Sequence, residues 1–244
     1  NNTEIPVISE AMRYSVFAGG KRLRPVLALM ACELFEGNTE DVLPFACSIE
    51  MIHTYSLIHD DLPAMDNDDF RRGKPTSHKV YGDGFAVLAG DALLNYAFEV
   101  IIGEIKKNPK IEFIKAAEVI CRASGTQGMI GGQCIDLFYE NRSIDIETLK
   151  SMHERKTGAL IAASLSAGAI IAGACEENIR NIYEFGKLIG LAFQIADDIL
   201  DIEGNVDRLG KQTGKDMSKH KSNFISFYGV DKSKKIASEI IENA

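Results

Sequence analysis

Apolar residues recur at steps of three and four positions along most of this 244-residue chain, which is the spacing of an amphipathic helix. The pattern is clearest in residues 178–203, which we predict to form one long helix. Shorter runs predict helices in residues 9–17, 25–36, 40–62, 86–105, 111–123, 146–153 and 158–175. The sequence contains no repeat, no low-complexity tract and no convincing run of strands. We therefore predict an all-α fold.

Residues 158–175 carry no charge, which raises the question of a membrane span. A membrane helix needs about 20 predominantly apolar residues, so this stretch is borderline in length. It is rich in Ala, Gly and Ser, and small residues let neighbouring helices approach closely in a packed bundle. We predict a central buried helix and no transmembrane segment.

Composition and charge narrow the class of protein. The chain is 45% hydrophobic and 25% charged, as is typical of a soluble globular protein, and its net charge of -8 argues against general nucleic-acid binding. Its five cysteines are scattered without CxxC spacing, so neither a disulfide framework nor a zinc site is indicated. No basic segment followed by an apolar run opens the chain. These features favour the reducing cytoplasm.

Five carboxylates crowd into ten positions near the end of the helix predicted for residues 40–62. They are Asp60, Asp61, Asp66, Asp68 and Asp69. Each carboxylate disfavours ionisation of the next unless a cation compensates, and oxygen-only ligands suit Mg²⁺ better than zinc. A solvated acidic loop is the alternative, but a second cluster, 197–201, supports a metal site.

Geometry along the first cluster brings further residues to it. His53 precedes Asp60 by seven residues, about two helical turns, so both point to the same face. Pro63 cannot continue a regular helix, and we expect the chain to kink or end there while Asp66 folds back toward Asp60. In the second cluster, Asp197 and Asp201 are four residues apart and share a helix face.

Two basic positions are candidate anion sites. Lys21, Arg22 and Arg24 flank the predicted helix start at Pro25, where free backbone N–H groups favour an anion. A solvated basic turn is the alternative. Lys156-Thr157 precedes the predicted buried helix, and its ammonium and hydroxyl could hold phosphate. A glycine- and lysine-rich stretch after Gly204 is either flexible surface or a lid.

Four motifs, in this order along the chain, resemble those of trans-isoprenyl diphosphate synthases, and most closely those of bacterial farnesyl diphosphate synthases. They are Gly19-Gly20-Lys21-Arg22-Leu23-Arg24-Pro25, Asp60-Asp61-Leu62-Pro63-Ala64-Met65-Asp66, Lys156-Thr157-Gly158 and Asp197-Asp198-Ile199-Leu200-Asp201. The resemblance spans essentially the whole chain. It implies one domain over residues 1–244, an antiparallel helical bundle around a deep central cavity, and a homodimer. By comparison with the family pattern we expect this chain to lack an N-terminal helix and the final helices, and Lys221-Ser222-Asn223-Phe224 replaces Lys-Ser-Thr-Tyr.

The resemblance also implies roles for individual residues. Those expected to hold Mg²⁺ on an allylic diphosphate are Asp60, Asp66 and Asp197, supported by Asp61 and Asp201. Those expected to bind that diphosphate directly are Arg71, Lys156, Thr157, Gln194, Lys211 and Lys221. The basic pocket expected for isopentenyl diphosphate consists of Lys21, Arg24, His53 and Arg72. Within these sets, catalysis itself is assigned to Asp60, Asp66, Asp197, Lys156 and Arg71.

Chain length of the product is expected to depend on Tyr55 and Ser56, which precede Asp60 by five and four residues. A growing tail pinned at the aspartates passes about one turn, roughly 5.4 Å, down the helix. In the family an aromatic residue at this position accompanies a farnesyl product, so farnesyl diphosphate is expected, and geranylgeranyl diphosphate is the alternative. Tyr55 as a mere packing residue also stays open.

Other activities fit the motifs less well. A class I terpene cyclase would not need a second diphosphate pocket, and its second metal motif usually mixes Asn, Ser and Glu. A non-catalytic synthase subunit would have lost one aspartate motif. A calcium loop starting at Asp66 would need Gly where Arg71 stands.

Overall fold

The computed structural model describes residues 5–203 and 223–244, and nearly all of this part is α-helical, which confirms the all-α prediction. The helices are α1 (Pro6–Val16), α2 (Leu23–Leu34), α3 (Thr39–Asp60), α4 (Ser77–Tyr81), α5 (Asp83–Lys107), α6 (Ile111–Ser124), α7 (Met129–Phe138), α8 (Ile146–His153), α9 (Ala159–Ile171), α10 (Glu176–Glu203), α11 (Phe224–Tyr228) and α12 (Val230–Asn243). A π-helical turn, Glu154–Gly158, joins α8 to α9.

Helix α9 is the centre of the fold. Every residue from Leu160 to Ile171 is buried, and the helix packs against α2, α6 and α10. Small residues make this possible, because a Cβ at Gly168 would lie 2.1 Å from the carbonyl oxygen of Ala28 on α2. The stretch predicted to be a central buried helix is therefore confirmed as one.

Helix α3 begins where the sequence predicted, with the Asn38 side chain accepting a hydrogen bond from the Glu40 N–H. Its predicted apolar face is fully buried against α2 and α5. The helix ends at Asp60, three residues before Pro63, and the Asp66 N–H donates to the Asp60 carbonyl at 2.8 Å. This closed turn confirms the fold-back predicted for Asp66.

Helix α2 buries a different face from the one its large apolar residues indicate. Val26, Met30 and Leu34 are 42%, 58% and 66% exposed. The buried positions are Ala28, Ala31 and Cys32. The close approach of α9 leaves room only for small side chains between these two helices, so the larger apolar residues of α2 lie away from this contact.

A short hairpin follows the first aspartate motif, although the sequence predicted no strands. Strand β1 (Phe70–Arg71) pairs antiparallel with β2 (Lys74–Pro75). Arg72 and Gly73 turn the chain between them with φ of 54° and 74°. The hairpin carries Arg71 and Arg72 back toward α3.

The sequence predicted two separate helices here, and the π turn joins them without a break. Its backbone is in close contact with α7, since a Cβ at Gly132 would lie 2.2 Å from the Lys156 nitrogen. A π turn inserts one extra residue into the helical repeat and is frequent at functional sites. Lys156 and Thr157 lie in this turn.

Helices α7, α8, α10, α11 and α12 enclose a second apolar cluster, separate from the main core. Within it the ring of His153 stacks on Phe224 at 5.8 Å between ring centroids. Burial lowers the pKa of His153 to about 4, so the ring is neutral at physiological pH. This cluster holds the segment that starts at Asn223 against α10.

In the described part of the chain, α5 is the one helix whose length and mean hydropathy would also suit a membrane crossing. One side of α5 packs on α1 and α3, and a third of its most apolar stretch is buried. The opposite side carries exposed Phe85, Leu88 and Ile102.

Candidate active site

A cavity of about 450 Å³ opens between α3, α5, α7 and the π turn. Its volume lies within the range of about 300–1,000 Å³ usual for small-molecule pockets. Charged residues at its wall include Arg24, Asp60, Asp91 and Lys156, and much of the remaining wall is apolar. Such a cavity has room for a ligand with a charged end and an apolar tail.

Asp60 stands at the end of α3 and lines this cavity with Lys156. The pKa of Asp60 is raised to about 6, chiefly by burial and also by the neighbouring Asp66 and Asp61 carboxylates, against the opposing charges of Lys156 and Arg71. An ionised Asp60 is therefore unfavourable here without a compensating cation, and the metal at this cluster stays a prediction.

Asp61, the next residue, points elsewhere. It is 3% exposed, and its two carboxylate oxygens accept hydrogen bonds from the Arg71 Nε at 2.7 and 2.8 Å. Burial raises the pKa of Asp61, while the bond to Arg71 lowers it. In this structure Asp61 therefore holds Arg71 in place, and its predicted direct contact with a metal stays a prediction.

Lys156 donates to Asp136 at 2.6 Å, which places its ammonium beside the cavity. Gln133 also lines the cavity, and its buried Oε1 has no hydrogen-bond partner. Gln133 and Asp136, three residues apart on α7, thus have different environments: Asp136 pairs with Lys156, and Gln133 reaches the cavity.

The predicted basic pocket is assembled in part. Arg24 and His53 line the cavity, and the guanidinium of Arg72 lies against Gly20 and donates to the Gly19 carbonyl. A Cβ at Gly20 would lie 2.5 Å from that guanidinium, so glycine is required for this contact. Lys21 is exposed at the surface beside them.

Burial changes the pKa values of Arg24 and His53 in this pocket. Burial lowers the pKa of Arg24 to about 10, where it stays charged at neutral pH, and its Nε has no hydrogen-bond partner. Burial, followed by the charges of Arg24 and Arg72, lowers the pKa of His53 well below its usual value. Arg22 is paired with Glu50. The result is a neutral imidazole among cations, which suits an anionic ligand.

The second aspartate motif lies on α10. Asp201 is buried, and its Oδ2 has no hydrogen-bond partner, whereas Asp197 is partly exposed. Gln194 accepts a hydrogen bond from the Thr157 hydroxyl at 3.0 Å, which links this helix to the π turn. Lys211 and Lys221, both predicted to bind diphosphate, lie outside the described residues.

Within residues 5–203 and 223–244, no three His, Cys, Asp or Glu side chains converge to form a ready-made metal site. Mg²⁺ usually keeps several waters and binds proteins through one or two carboxylates together with substrate phosphates. The buried Asp201 oxygen and the crowded Asp60 carboxylate are oxygen donors of this kind. The residues present therefore fit magnesium that arrives with a phosphorylated ligand.

Residues 5–244 match the family model described as polyprenyl synthetase. The chain belongs to the polyprenyl synthetase family. Its activity is that of a prenyltransferase, and its fold is that of isoprenyl diphosphate synthases.

Named relatives of this family differ in their products. The chain is 50% identical to a geranylgeranyl diphosphate synthase of Cyanophora paradoxa over 238 residues, which are 97% of this chain and 79% of the relative. It is 46% identical to a farnesyl diphosphate synthase of Bacillus subtilis (strain 168) over 228 residues, 93% of this chain and 77% of the relative.

A solved structure shares the fold. It is a geranyltransferase from Helicobacter pylori complexed with magnesium and isoprenyl diphosphate, with a TM-score of 0.88 and 35% identity. The similarity covers 98% of this chain and 80% of that one.

His59 and Asp91 are polar residues of the cavity wall that the sequence did not indicate. The His59 Nε2 lies 3.0 Å from the Val87 carbonyl oxygen on α5. A Cβ at Gly90 would lie 2.1 Å from this nitrogen, so Gly90 provides the space for the ring. A same-face spacing of His59 with Tyr55 was visible in the sequence, but the contact with α5 was not.

Tyr55 lies both in the core and at the cavity wall. It is 5% exposed, and its ring meets the His59 ring edge-on at 5.7 Å between centroids. Burial raises the pKa of Tyr55 to about 12, so its phenol is neutral. Ser56 lines the same wall and donates to the His53 carbonyl at 2.9 Å.

Proposed function

We propose that this prenyltransferase uses Mg²⁺ to condense isopentenyl diphosphate with dimethylallyl or geranyl diphosphate, giving farnesyl diphosphate. One observation carries the proposal: Asp60, Lys156, Arg24 and the neutral His53 line a single cavity whose wall is largely apolar. A cavity with charged residues and an apolar wall suits two diphosphates and a hydrocarbon tail.

The allylic diphosphate binds between the two aspartate motifs. Magnesium, when bound with it, neutralises the charge that develops on the leaving diphosphate. Its proposed ligands are Asp60, Asp66 and Asp197, with Asp61 and Asp201 in support. Lys156 and Arg71 add positive charge, and Asp61 holds the Arg71 guanidinium at its position. Thr157 and Gln194 lie beside Lys156, and Lys211 and Lys221 belong to the same proposed set.

Isopentenyl diphosphate binds without metal at Lys21, Arg24, His53 and Arg72. Cleavage of the allylic carbon–oxygen bond leaves a delocalised cation, which the double bond of isopentenyl diphosphate attacks. A proton then leaves the new carbon–carbon adduct, with the released pyrophosphate as the base. Holding the two reactants in contact supplies much of the rate.

Tyr55 supports a farnesyl product. Its buried ring lines the cavity five residues before Asp60 on α3, where the tail of a growing chain is expected to arrive. A geranylgeranyl product is the second candidate, favoured by the 50% identity to the Cyanophora paradoxa enzyme.

The activity is tested with radiolabelled isopentenyl diphosphate and geranyl diphosphate. Turnover should require Mg²⁺ and stop in excess chelator. Asp60→Ala should lower kcat by about 100-fold or more, because removing a group that stabilises developing charge costs about 3–4 kcal/mol. Asp69→Asn is the matched control, since Asp69 is an exposed carboxylate of the same acidic cluster and pairs with Lys79. Full turnover in chelator would contradict the proposal.

The product length is tested with Tyr55→Ala. Removing the ring opens the wall, so products should shift from farnesyl to geranylgeranyl diphosphate or longer, as read by chromatography. Tyr55→Phe keeps the ring and should keep the farnesyl product. Because deleting a buried aromatic ring costs about 3–5 kcal/mol of stability, thermal unfolding of each variant is recorded alongside. Unchanged farnesyl product from folded Tyr55→Ala would assign chain length to other residues.

The working protein is proposed to be a cytoplasmic homodimer of one catalytic domain over residues 1–244. Phe85, Leu88 and Ile102 support the dimer, because they are exposed apolar side chains on the part of α5 that faces away from the buried Ala86 and Leu93. Exposed apolar patches of this kind mark interaction surfaces.

A further inference from the structure

Asp198 lies beside the predicted metal ligand Asp197 but points in a different direction, since successive helical residues are about 100° apart. It is 3% exposed. Its Oδ1 accepts a hydrogen bond from the Gln194 side-chain amide at 3.0 Å, and its Oδ2 accepts one from the Phe224 backbone N–H at 3.0 Å. The carboxylate thus joins α10 to the start of α11.

Gln194 is held at both ends of its amide. The Thr157 hydroxyl donates to Oε1 at 3.0 Å, and Nε2 donates to Asp198. Chemistry dictates this order, because an ionised carboxylate only accepts hydrogen bonds, so Gln194 must turn its NH₂ to Asp198 and its carbonyl to Thr157. The single hydroxyl proton of Thr157 is then committed to Gln194.

The side-chain amide of Gln194 has one further N–H that can donate a hydrogen bond. An amide nitrogen carries two N–H groups, and the bond to Asp198 uses one of them. Gln194 is partly exposed and is bonded to Thr157, which lines the cavity. An N–H held in this way is preorganised for an anionic oxygen, and charge-assisted hydrogen bonds of this type are the stronger ones.

We propose that Asp198 and Thr157 are positioning residues that clamp Gln194, so that its second amide N–H binds the allylic diphosphate. Asp198 therefore acts through Gln194 and not as a ligand of Mg²⁺, although its motif pairs it with Asp197. Thr157 acts in the same way, and its hydroxyl does not donate to phosphate. The inference rests on the proposed allylic diphosphate site and assigns separate roles within it.

Asn223 supports the far end of the clamp. Its side chain accepts from the Ser226 N–H at 3.0 Å, and the Ser226 hydroxyl accepts from the Asn223 N–H at 3.1 Å, which together form a capping box at the start of α11. The departure from the family's Lys-Ser-Thr-Tyr thus replaces one good N-cap residue with another. This cap holds in place the Phe224 N–H, which donates a hydrogen bond to Asp198.

The variants Asp198→Asn and Thr157→Val test the clamp. Asp198→Asn keeps the shape of the side chain but replaces one carboxylate oxygen with an NH₂ group, which cannot accept a hydrogen bond from Gln194 or Phe224. The second removes the hydroxyl at nearly constant shape. Each should raise the KM for the allylic diphosphate about tenfold, the effect of losing one hydrogen bond near a charged group. The KM for isopentenyl diphosphate should stay unchanged, and Thr157→Ser should restore the allylic KM.

The double variant Asp198→Asn/Thr157→Val should be little worse than either single variant, since both release the same amide. The Mg²⁺ concentration for half-maximal turnover should stay at the wild-type value in Asp198→Asn and rise in Asp197→Asn. An equal rise in both aspartate variants would overturn the proposal, as would additive losses in the double variant.

Two measurements need no turnover and separate this inference from the proposed function. Amide hydrogen exchange of the ligand-free protein should quicken at Phe224 in Asp198→Asn and not in Thr157→Val. Calorimetric titration with inorganic pyrophosphate and Mg²⁺ should show about tenfold weaker binding in both variants. Absent condensation in the wild type would reject the proposed function, whereas unchanged pyrophosphate binding in the variants would reject the clamp.

Discussion

Neighbouring residues of one motif have different environments in this protein. Asp60 faces the cavity, whereas Asp61 is buried against Arg71, and Asp197 is partly exposed, whereas Asp198 is bonded to Gln194 and Phe224. One helical step, about 100°, is enough to move a carboxylate from one environment to the other. The two carboxylates of an aspartate doublet can therefore serve different functions.

Substitution of Arg24 should affect isopentenyl diphosphate and spare the allylic diphosphate. Arg24→Ala should raise the KM for isopentenyl diphosphate about tenfold or more and leave the KM for the allylic diphosphate nearly unchanged. Arg24→Lys should also be impaired, because an ammonium cannot reproduce the two parallel bonds of a guanidinium. Steady-state titration of each substrate measures both effects. Arg13→Ala, on the exposed end of α1, is the control, and equal weakening of both substrates would contradict separate pockets.

Helix packing here depends on small residues at the contacts of α9. Gly168 meets the backbone of α2 at Ala28, and Gly190 on α10 meets the backbone of Gly158. Main chains that approach this closely leave no space for a methyl group. The same closeness sets the position of the π turn, because Gly158 is its last residue.

Gly168→Ala should destabilise the protein by about 1–3 kcal/mol, since overpacking a close helix contact forces backbone shifts. The control is Gly103→Ala on α5, where an added Cβ meets no atom within 4 Å. That change should stabilise the protein by about 0.5–1 kcal/mol through a better helix residue. Urea unfolding at one protein concentration compares them. Equal stability of both variants would show that α2 and α9 can separate without loss.

For the whole molecule, the exposed apolar side chains of α5 are one surface left without a partner in the described residues. Leu88→Glu should turn a dimer into a monomer, because a carboxylate buried in an apolar interface is unpaired. Sedimentation velocity measures the mass of wild type and variant. Glu239→Gln, at an exposed position of α12, is the control and should stay dimeric. A monomeric wild type would remove the dimer from the proposed function.

Much of this protein could be predicted from its sequence, because the relevant physics is local. Helical periodicity, the Asn38 cap and the fold-back of Asp66 depend on residues within a turn or two of one another. The charge crowding around Asp60 is local as well, so a cation site could be expected from spacing alone.

Only the tertiary structure decided which side chains meet across helices. The contact of His59 with α5 requires Gly90, thirty-one positions away, and the bond from Phe224 to Asp198 spans twenty-six. The inward face of α2 was set by the closeness of α9, which overrode its own apolar pattern. Such contacts depend on how close two backbones come, and that distance is fixed by the packing of the whole bundle, which no single segment encodes.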